Sequence, residues 1–452
     1  MGLFSARRTV PACVLSAATV AALMVPGAAS AATQCSGSNI VVAGSTLQKL
    51  AQKEVWQPDF NTSANPAACN GSQGSGGKPS LSYESIGSGA GLEDWGYNGH
   101  AFEAGRVAIV STDEPVNTKE KGEIEAHETK TVAESVQSVP VLQAAVAIIV
   151  HLPANCTASN TIKKNPWPGR LVITNVTLQK IWVGEITKWS QITDEGDKLA
   201  GAGCEPETPI TRVVRLDGSG TTHVFKKYLD LVSNTAFETE KAENKTWTEI
   251  SEGTENTTWP AAAHVVKPAA TGGGALVSKV AETPSSIGYA NLADARSNGG
   301  FSKSGDGPGT GKFWVPVQNN GVGITKAKFS DPSTDGDTEP LANAHCEKTK
   351  YTNGTGTKFP PKTTADVWNE VTTATKEKAY PICGLTYDMV LSKYSAYPGT
   401  SEGEVTTAGN YLNFVLNTET TGGQELILGH DYEPLPTKLL KEALKGVSLA
   451  AF

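Results

Sequence analysis

The segment Arg215-Leu216-Asp217-Gly218-Ser219-Gly220-Thr221-Thr222 puts a guanidinium, a carboxylate and a run of glycine and hydroxyl residues side by side. That set suits an oxyanion. A guanidinium offers a planar fork of N–H donors with permanent charge, and glycines let the backbone approach a ligand closely. The first turn of a helix adds unpaired N–H groups at the positive end of its dipole. The flanks supply that helix, since Ile210 to Val214 is strand-like and His223 to Leu231 has amphipathic helical spacing. The segment is a candidate anion socket.

Two further junctions have the same shape. Asn39 to Ala43 reads as a strand, and Gly44-Ser45-Thr46 leads into a helix to about Trp56, with Thr46 as N-cap and Leu47, Leu50, Ala51 and Val55 on one face. Leu81 to Ser85 reads as a strand followed by the turn Gly87-Ser88-Gly89-Ala90-Gly91 and a short helix; Arg106 to Ser111 is another strand, ending in Thr112-Asp113-Glu114-Pro115. In open α/β sheets ligands gather beyond the carboxyl ends of strands, so the junctions at 44–47, 87–92 and 218–223 predict one shared pocket. Each residue also has a plainer reading: Arg215 as a surface partner of Asp217, Asp113 as a turn residue, Thr46 and Ser88 as simple caps.

Along the rest of the chain, Val139 to His151 reads as a fully buried strand, and a second α/β pattern follows: strand near Leu171, helix Leu178 to Val183, strand Ser286 to Ala290. Residues 292–365 are rich in Gly, Ser, Asn and Lys and have weak periodicity. Ala379 to Leu391 resembles a buried strand and the start of a helix, and Ala408 to Leu416 and Lys438 to Val447 have helical spacing.

With 452 residues the chain predicts two or three core-forming units. A net charge of −8 and no basic stripe argue against a nucleic-acid partner. Arg7 and Arg8 precede an apolar run from about Val10 to Val25 bracketed by Pro11 and Pro26, and Ala29-Ser30-Ala31 offers a cleavage site. Residues 1–31 therefore read as a signal peptide cut near Ala31, and the product as periplasmic or secreted. Cys13 leaves with it. Cys35, Cys69, Cys156, Cys204, Cys346 and Cys383 remain, which in an oxidising compartment favours three disulfides; of fifteen connectivities, the neighbour pairs 35–69, 156–204 and 346–383 are expected. No C-x2-C spacing suggests a metal.

Enzyme signatures are missing. No histidines stand at metal-ligand spacing, Ser219 follows Asp217 where G-x-S-x-G needs glycine, and His223 follows Thr222 where a phosphate loop needs Lys-Ser/Thr. His223 alone lies near the socket.

Taken in order, these pieces resemble the PstS-type phosphate-binding proteins of ABC phosphate importers, a periplasmic substrate-binding family. Ala43-Gly44-Ser45-Thr46-Leu47 is similar to the family's Gly-Ala-Thr-Phe turn, with Leu47 replacing an aromatic. Ser85 to Gly91 matches the second turn. Ser111 to Pro115 resembles the Ser-Asp-Ala-Pro corner, with Thr112 shifted in and Glu114 where a small residue is usual. Arg215 to Thr222 matches the most specific motif, and Ser286-Ile287-Gly288-Tyr289 and Ala379-Tyr380-Pro381-Ile382 fit their places. The match covers about 39–290 and 379–437 and is poor over 300–375.

The resemblance implies an α/β, two-lobe fold with hinge strands and a ligand cleft: residues 32–140 and 291–452 in lobe 1, residues 141–290 in lobe 2. It implies a monomer without cofactor or metal that captures inorganic phosphate and delivers it to a membrane permease. Thr46, Leu47, Ser88, Ser219, Gly220 and Thr221 would donate to phosphate oxygens, Arg215 would pair with the anion and Asp217 would hold the guanidinium. Asp113 would accept from a protonated phosphate oxygen, a proton that sulfate lacks. A secreted phosphatase, or a scavenging or adhesion protein on the same fold, is the alternative expectation.

Overall fold

The computed structural model describes residues 37–451 except 63–78, 104, 134, 160–170, 195–197, 201–206, 237–256, 260–269, 303–310, 321–327, 335–341, 353–367, 369–371 and 375–378. Nine strands build one mixed sheet: β1 (Ile40–Gly44), β2 (Leu81–Ser85), β3 (Ile109–Thr112), β4 (Val136–His151), β5 (Thr211–Arg212), β6 (Ser286–Asn291), β7 (Lys312–Val315), β8 (Cys383–Leu391) and β9 (Tyr432–Glu433). Their order is β2-β1-β3-β8-β4-β6-β5, with β7 and β9 also paired to β4. β1 runs parallel to β2 and β3, so three carboxyl ends open on one edge.

Two hydrophobic cores share this sheet. The first gathers β1 to β3, β4 as far as Ala144, most of β8, and the helices Glu402–Val415 and Thr437–Leu449. The second takes β4 from Ala145 onward, β6, β7 and the helices α3 (Asn175–Val183), α4 (Gly220–Ala236) and α5 (Gly273–Glu282). β4 passes from one core into the other without a break, and β8 runs antiparallel to it from Cys383↔Ala145 to Leu391↔Val136. Burial on both faces along nearly all of β4 is why it reads as an unbroken apolar run. The fold is two-lobed α/β, with β4 and β8 as the crossing strands.

Local differences from the sequence expectation have local causes. The N-terminal cap after β1 is Ser45, whose Oγ accepts from Gln48 N at 3.1 Å, which leaves the Thr46 hydroxyl for other work. The helix that follows, α1, is a π-type stretch over Ala51–Trp56 that continues as Gln57–Asn61. β3 starts at Ile109 rather than Arg106, because Gly105 and Arg106 form a turn in which Arg106 N donates to the Glu103 carbonyl at 3.2 Å. α2 (Ser88–Asp94) begins directly after Gly87, with no free turn between them. α4 is longer than its periodicity suggested, and Ser219 caps it by accepting from Thr222 N at 3.2 Å.

Cys346 and Cys383 form the expected disulfide across a sequence separation of 37. Cys156 is also disulfide-bonded. The pairs 35–69 and 156–204 involve Cys35, Cys69 and Cys204, which lie outside the described residues. Opening the 346–383 loop by a double change to serine is expected to cost roughly 3–4 kcal/mol of stability. Thermal denaturation checks this, and an unchanged melting temperature would refute it. Among the described residues, no helix is long and apolar enough to cross a membrane.

Candidate oxyanion-binding cleft

The carboxyl ends of β1, β2 and β3 face the N-terminus of α4 across the boundary between the cores. From the first core, β1 delivers Ser45 and Thr46, and β2 leads through Gly87 into Ser88 at the start of α2. Gly87 has φ +104°, a conformation that L side chains rarely adopt, so glycine is needed for the turn that aims the α2 N-terminus at the cleft. β3 leads into Asp113, whose backbone N–H donates to Ser88 Oγ at 3.3 Å. From the second core, the segment after Val214 carries Arg215 and Asp217 into Ser219, Gly220 and Thr221.

These pieces meet. Arg215 is 1 % exposed; its Nε donates to Asp217 Oδ1 at 2.6 Å, Nη2 donates to Asp217 Oδ2, and Nη1 reaches Thr46 Oγ1 at 3.3 Å. Gly220 lies on Asp113 so closely that a Cβ there would come within 2.9 Å of the Asp113 N and Cα. Gly218 faces Gly89, with 3.4 Å between its Cβ position and the Gly89 Cα. Thr46, Ser88, Asp113, Arg215, Asp217, Gly218 and Gly220 therefore meet at one place between the cores, with Arg215 buried and Leu216 turned to solvent. The surface-pair reading of Arg215 is overturned, because the Arg215–Asp217 fork is buried and reaches the other core. Leu47 turns its side chain into the first core, 2 % exposed, and its carbonyl accepts from Asn291 Nδ2 and Tyr432 OH.

The family described as the PBP superfamily domain matches residues 29–419. The chain belongs to this superfamily. A phosphate-binding protein PstS from Xylella fastidiosa is 30 % identical over 179 residues, which are 39 % of this chain and 37 % of that protein. The chain thus spans little more than a third of the curated relatives it matches. A crystal structure of a phosphate-binding protein from Stenotrophomonas maltophilia superposes with TM-score 0.56 at 15 % identity, covering 90 % of this chain and 93 % of the other. An ancestral soluble variant of the human phosphate-binding protein superposes with TM-score 0.58 at 18 % identity, covering 91 % and 98 %. At these identities the likeness establishes the two-lobe fold.

In this PBP superfamily domain the cleft is held from behind by a polar network. Asp113 Oδ1 accepts from Ser45 Oγ and from Thr386 Oγ1, the latter at 3.1 Å. Gln48 Nε2 donates to Thr386 Oγ1 and to the Tyr387 carbonyl, and Gln52 Nε2 donates to Gln48 Oε1 at 2.7 Å. Ser111 Oγ donates to Asp388 Oδ1 at 2.6 Å. Such a network fixes the Asp113 carboxylate against the crossing strand β8, so its direction is set before any ligand arrives. On the other side, Tyr289 OH accepts from Arg215 N at 3.3 Å and pairs with Thr222 Oγ1 at 2.7 Å, which holds the socket loop to α4.

Burial dominates the ionisation of the site. It lifts Asp113 to about 6, opposed by hydrogen bonds from Ser45 and Thr386 and by the Arg215 charge. It lifts Glu114, Asp294 and Asp388 to about 7. Each of these carboxyls holds its proton more tightly folded than unfolded, so the stability they contribute is complete below roughly pH 4 and is lost as pH rises through 6 to 7. Among the described residues, no cluster of three or more His, Cys, Asp or Glu side chains is placed to hold a metal.

Several site residues escaped the sequence reading. A fourth small-residue junction, Gly272-Gly273-Gly274 at the start of α5, sends Gly272 N to Asp217 and Gly273 N to Thr46 Oγ1 at 3.3 Å. Its signal was present, because a glycine triplet precedes the buried stripe Leu276, Val277 and Val280. Asp294 sits against Gly273, its Oδ2 only 2.5 Å from where a Cβ would stand. Neither Asp294 nor Thr386 has a local sequence signal, since both arrive through tertiary packing.

Proposed function

We propose that this chain is an extracytoplasmic solute-binding protein that captures inorganic phosphate between its two lobes and delivers it to an ABC-type permease. The observation that supports this reading is the convergence of Thr46, Ser88, Asp113, Arg215, Asp217, Gly218 and Gly220 from both cores on one place. Two helix N-termini, at Ser88 and Gly220, aim N–H groups there, and a fixed guanidinium and a fixed carboxylate complete the lining. Arg215 pairs with the anion and Asp217 holds its fork. Thr46, Ser88, Ser219, Gly220, Thr221 and the Leu47 backbone donate to phosphate oxygens. The two lobes, one about each core, close about β4 and β8 by hinge motion. Residues 1–31 serve as a signal peptide, and the mature chain acts as a monomer. The curated relative's name as a phosphate-binding protein adds support.

Asp113 provides the selectivity. An ionised carboxylate only accepts hydrogen bonds, so it favours an oxyanion that still carries a proton and repels sulfate. Titration calorimetry with phosphate and sulfate tests this directly. Wild type should prefer phosphate strongly, and Asp113→Asn, whose amide donates, should relax the discrimination by roughly one to two orders of magnitude, the worth of one charge-assisted hydrogen bond. No binding of phosphate by wild type would sink the ligand assignment. An unaltered preference in the variant would remove Asp113 from selectivity.

A further inference from the structure

Next to Asp113, on the same corner, Glu114 is buried although nothing in anion binding requires a second carboxylate there. Its Oε2 lies 2.8 Å from Nδ1 of His223, which is itself buried on the first turns of α4. Glu114 follows β3 of the first core, whereas His223 belongs to the helix that packs in the second, so the contact crosses the cleft boundary. It lies beside Gly220 and Asp113, where the two cores come into backbone contact. We infer that Glu114 and His223 form a positioning pair that takes up one proton when the lobes close, linking anion capture to pH.

Charge balance drives this uptake, which rests on the lobe closure proposed above. With the lobes apart, both side chains meet water; near pH 7.5 a glutamate is ionised and a histidine mostly neutral. Closure carries that net negative charge out of water and beside Asp113. Burying an uncompensated carboxylate is costly, and the same carboxylate with a protonated imidazole is not. One proton therefore moves from solvent to the pair and is kept there as an imidazolium beside the carboxylate. The other charged groups facing the pair are Lys227 on α4, which favours ionised Glu114, and Asp113, which opposes it. Asp230 lies further along α4. A cavity of about 170 Å³ lined by Asp113, His223, Lys227 and Asp230 opens onto the imidazole of the pair and gives the proton its route. Burial raises Glu114, which agrees in direction.

The closed form binds more protons than the open one, so affinity must fall as pH rises past the range where His223 is already protonated. The test compares wild type with Glu114→Gln, whose amide can donate to a neutral imidazole and needs no proton, and with His223→Asn as a second variant. Phosphate is titrated at pH 6.5 and 8.5 in two buffers of different ionisation enthalpy. The ligand's own protonation is common to all three proteins and cancels. Wild type should take up close to one proton more than Glu114→Gln at pH 8.5, and should lose up to about tenfold more affinity per pH unit. Equal proton counts and equal pH slopes would overturn the proposal. If phosphate gives no heat with wild type, the ligand assignment has failed. Small-angle scattering of the ligand-free proteins then decides: the inference requires wild type to compact as pH falls from 8.5 to 6 and Glu114→Gln to stay constant, and identical behaviour overturns it.

Discussion

Replacing Arg215 by alanine is expected to weaken phosphate binding by about 3–5 kcal/mol, or roughly two to four orders of magnitude in affinity, the cost of removing one partner from a buried charged pair. The geometry makes the loss large for three reasons. The guanidinium is 1 % exposed, so water cannot replace it. Its orientation is already fixed by the two-point contact to Asp217, so little ordering entropy is spent when the anion arrives. Its third donor nitrogen reaches Thr46 of the opposite core, so the same side chain that carries the charge also spans the closed cleft. Arg215→Lys should fall between the two, because an ammonium keeps the charge and loses the fork. Titration calorimetry on folded variants reads both. An affinity unchanged in Arg215→Ala would mean that the anion sits elsewhere.

Legibility followed the range of the interactions. The junctions at 44–47, 87–92 and 218–223 could be read because strand, glycine turn and helix start are neighbours in sequence, and each carries its own backbone requirement, as at Gly87. β4 could be read because burial on both faces leaves no polar alternation to confuse it. What sequence could not supply was support from afar. Thr386 reaches Asp113 from 273 residues away, and Asn291 reaches Leu47 from 244. Ser45 rather than Thr46 caps the helix after β1, a choice set by where Thr46 is needed by Arg215 and Gly273. The helix Leu292–Gly299 and strand β7 sit inside a stretch of weak periodicity, and each is placed by distant partners, the helix packing mainly on α5 and the strand pairing with β4.

Gly220→Ala separates binding from stability. Gly220 has no positive φ, so the backbone tolerates alanine, and alanine in the first turn of α4 should raise local helix stability by up to about 1 kcal/mol. The added methyl, however, would stand within 2.9 Å of the Asp113 backbone, where no flexible side chain can yield. The lobes can relieve that overlap only by staying apart, at a cost of roughly 1–3 kcal/mol in the closed form. The expected result is a melting temperature equal to or above wild type without ligand, and a phosphate affinity lower by about one to two orders of magnitude. Scattering under saturating phosphate should show a larger radius of gyration than wild type. Wild-type affinity in Gly220→Ala would mean that the contact between Gly220 and Asp113 is not part of the ligand-bound state, and the closed cleft described here would no longer represent capture.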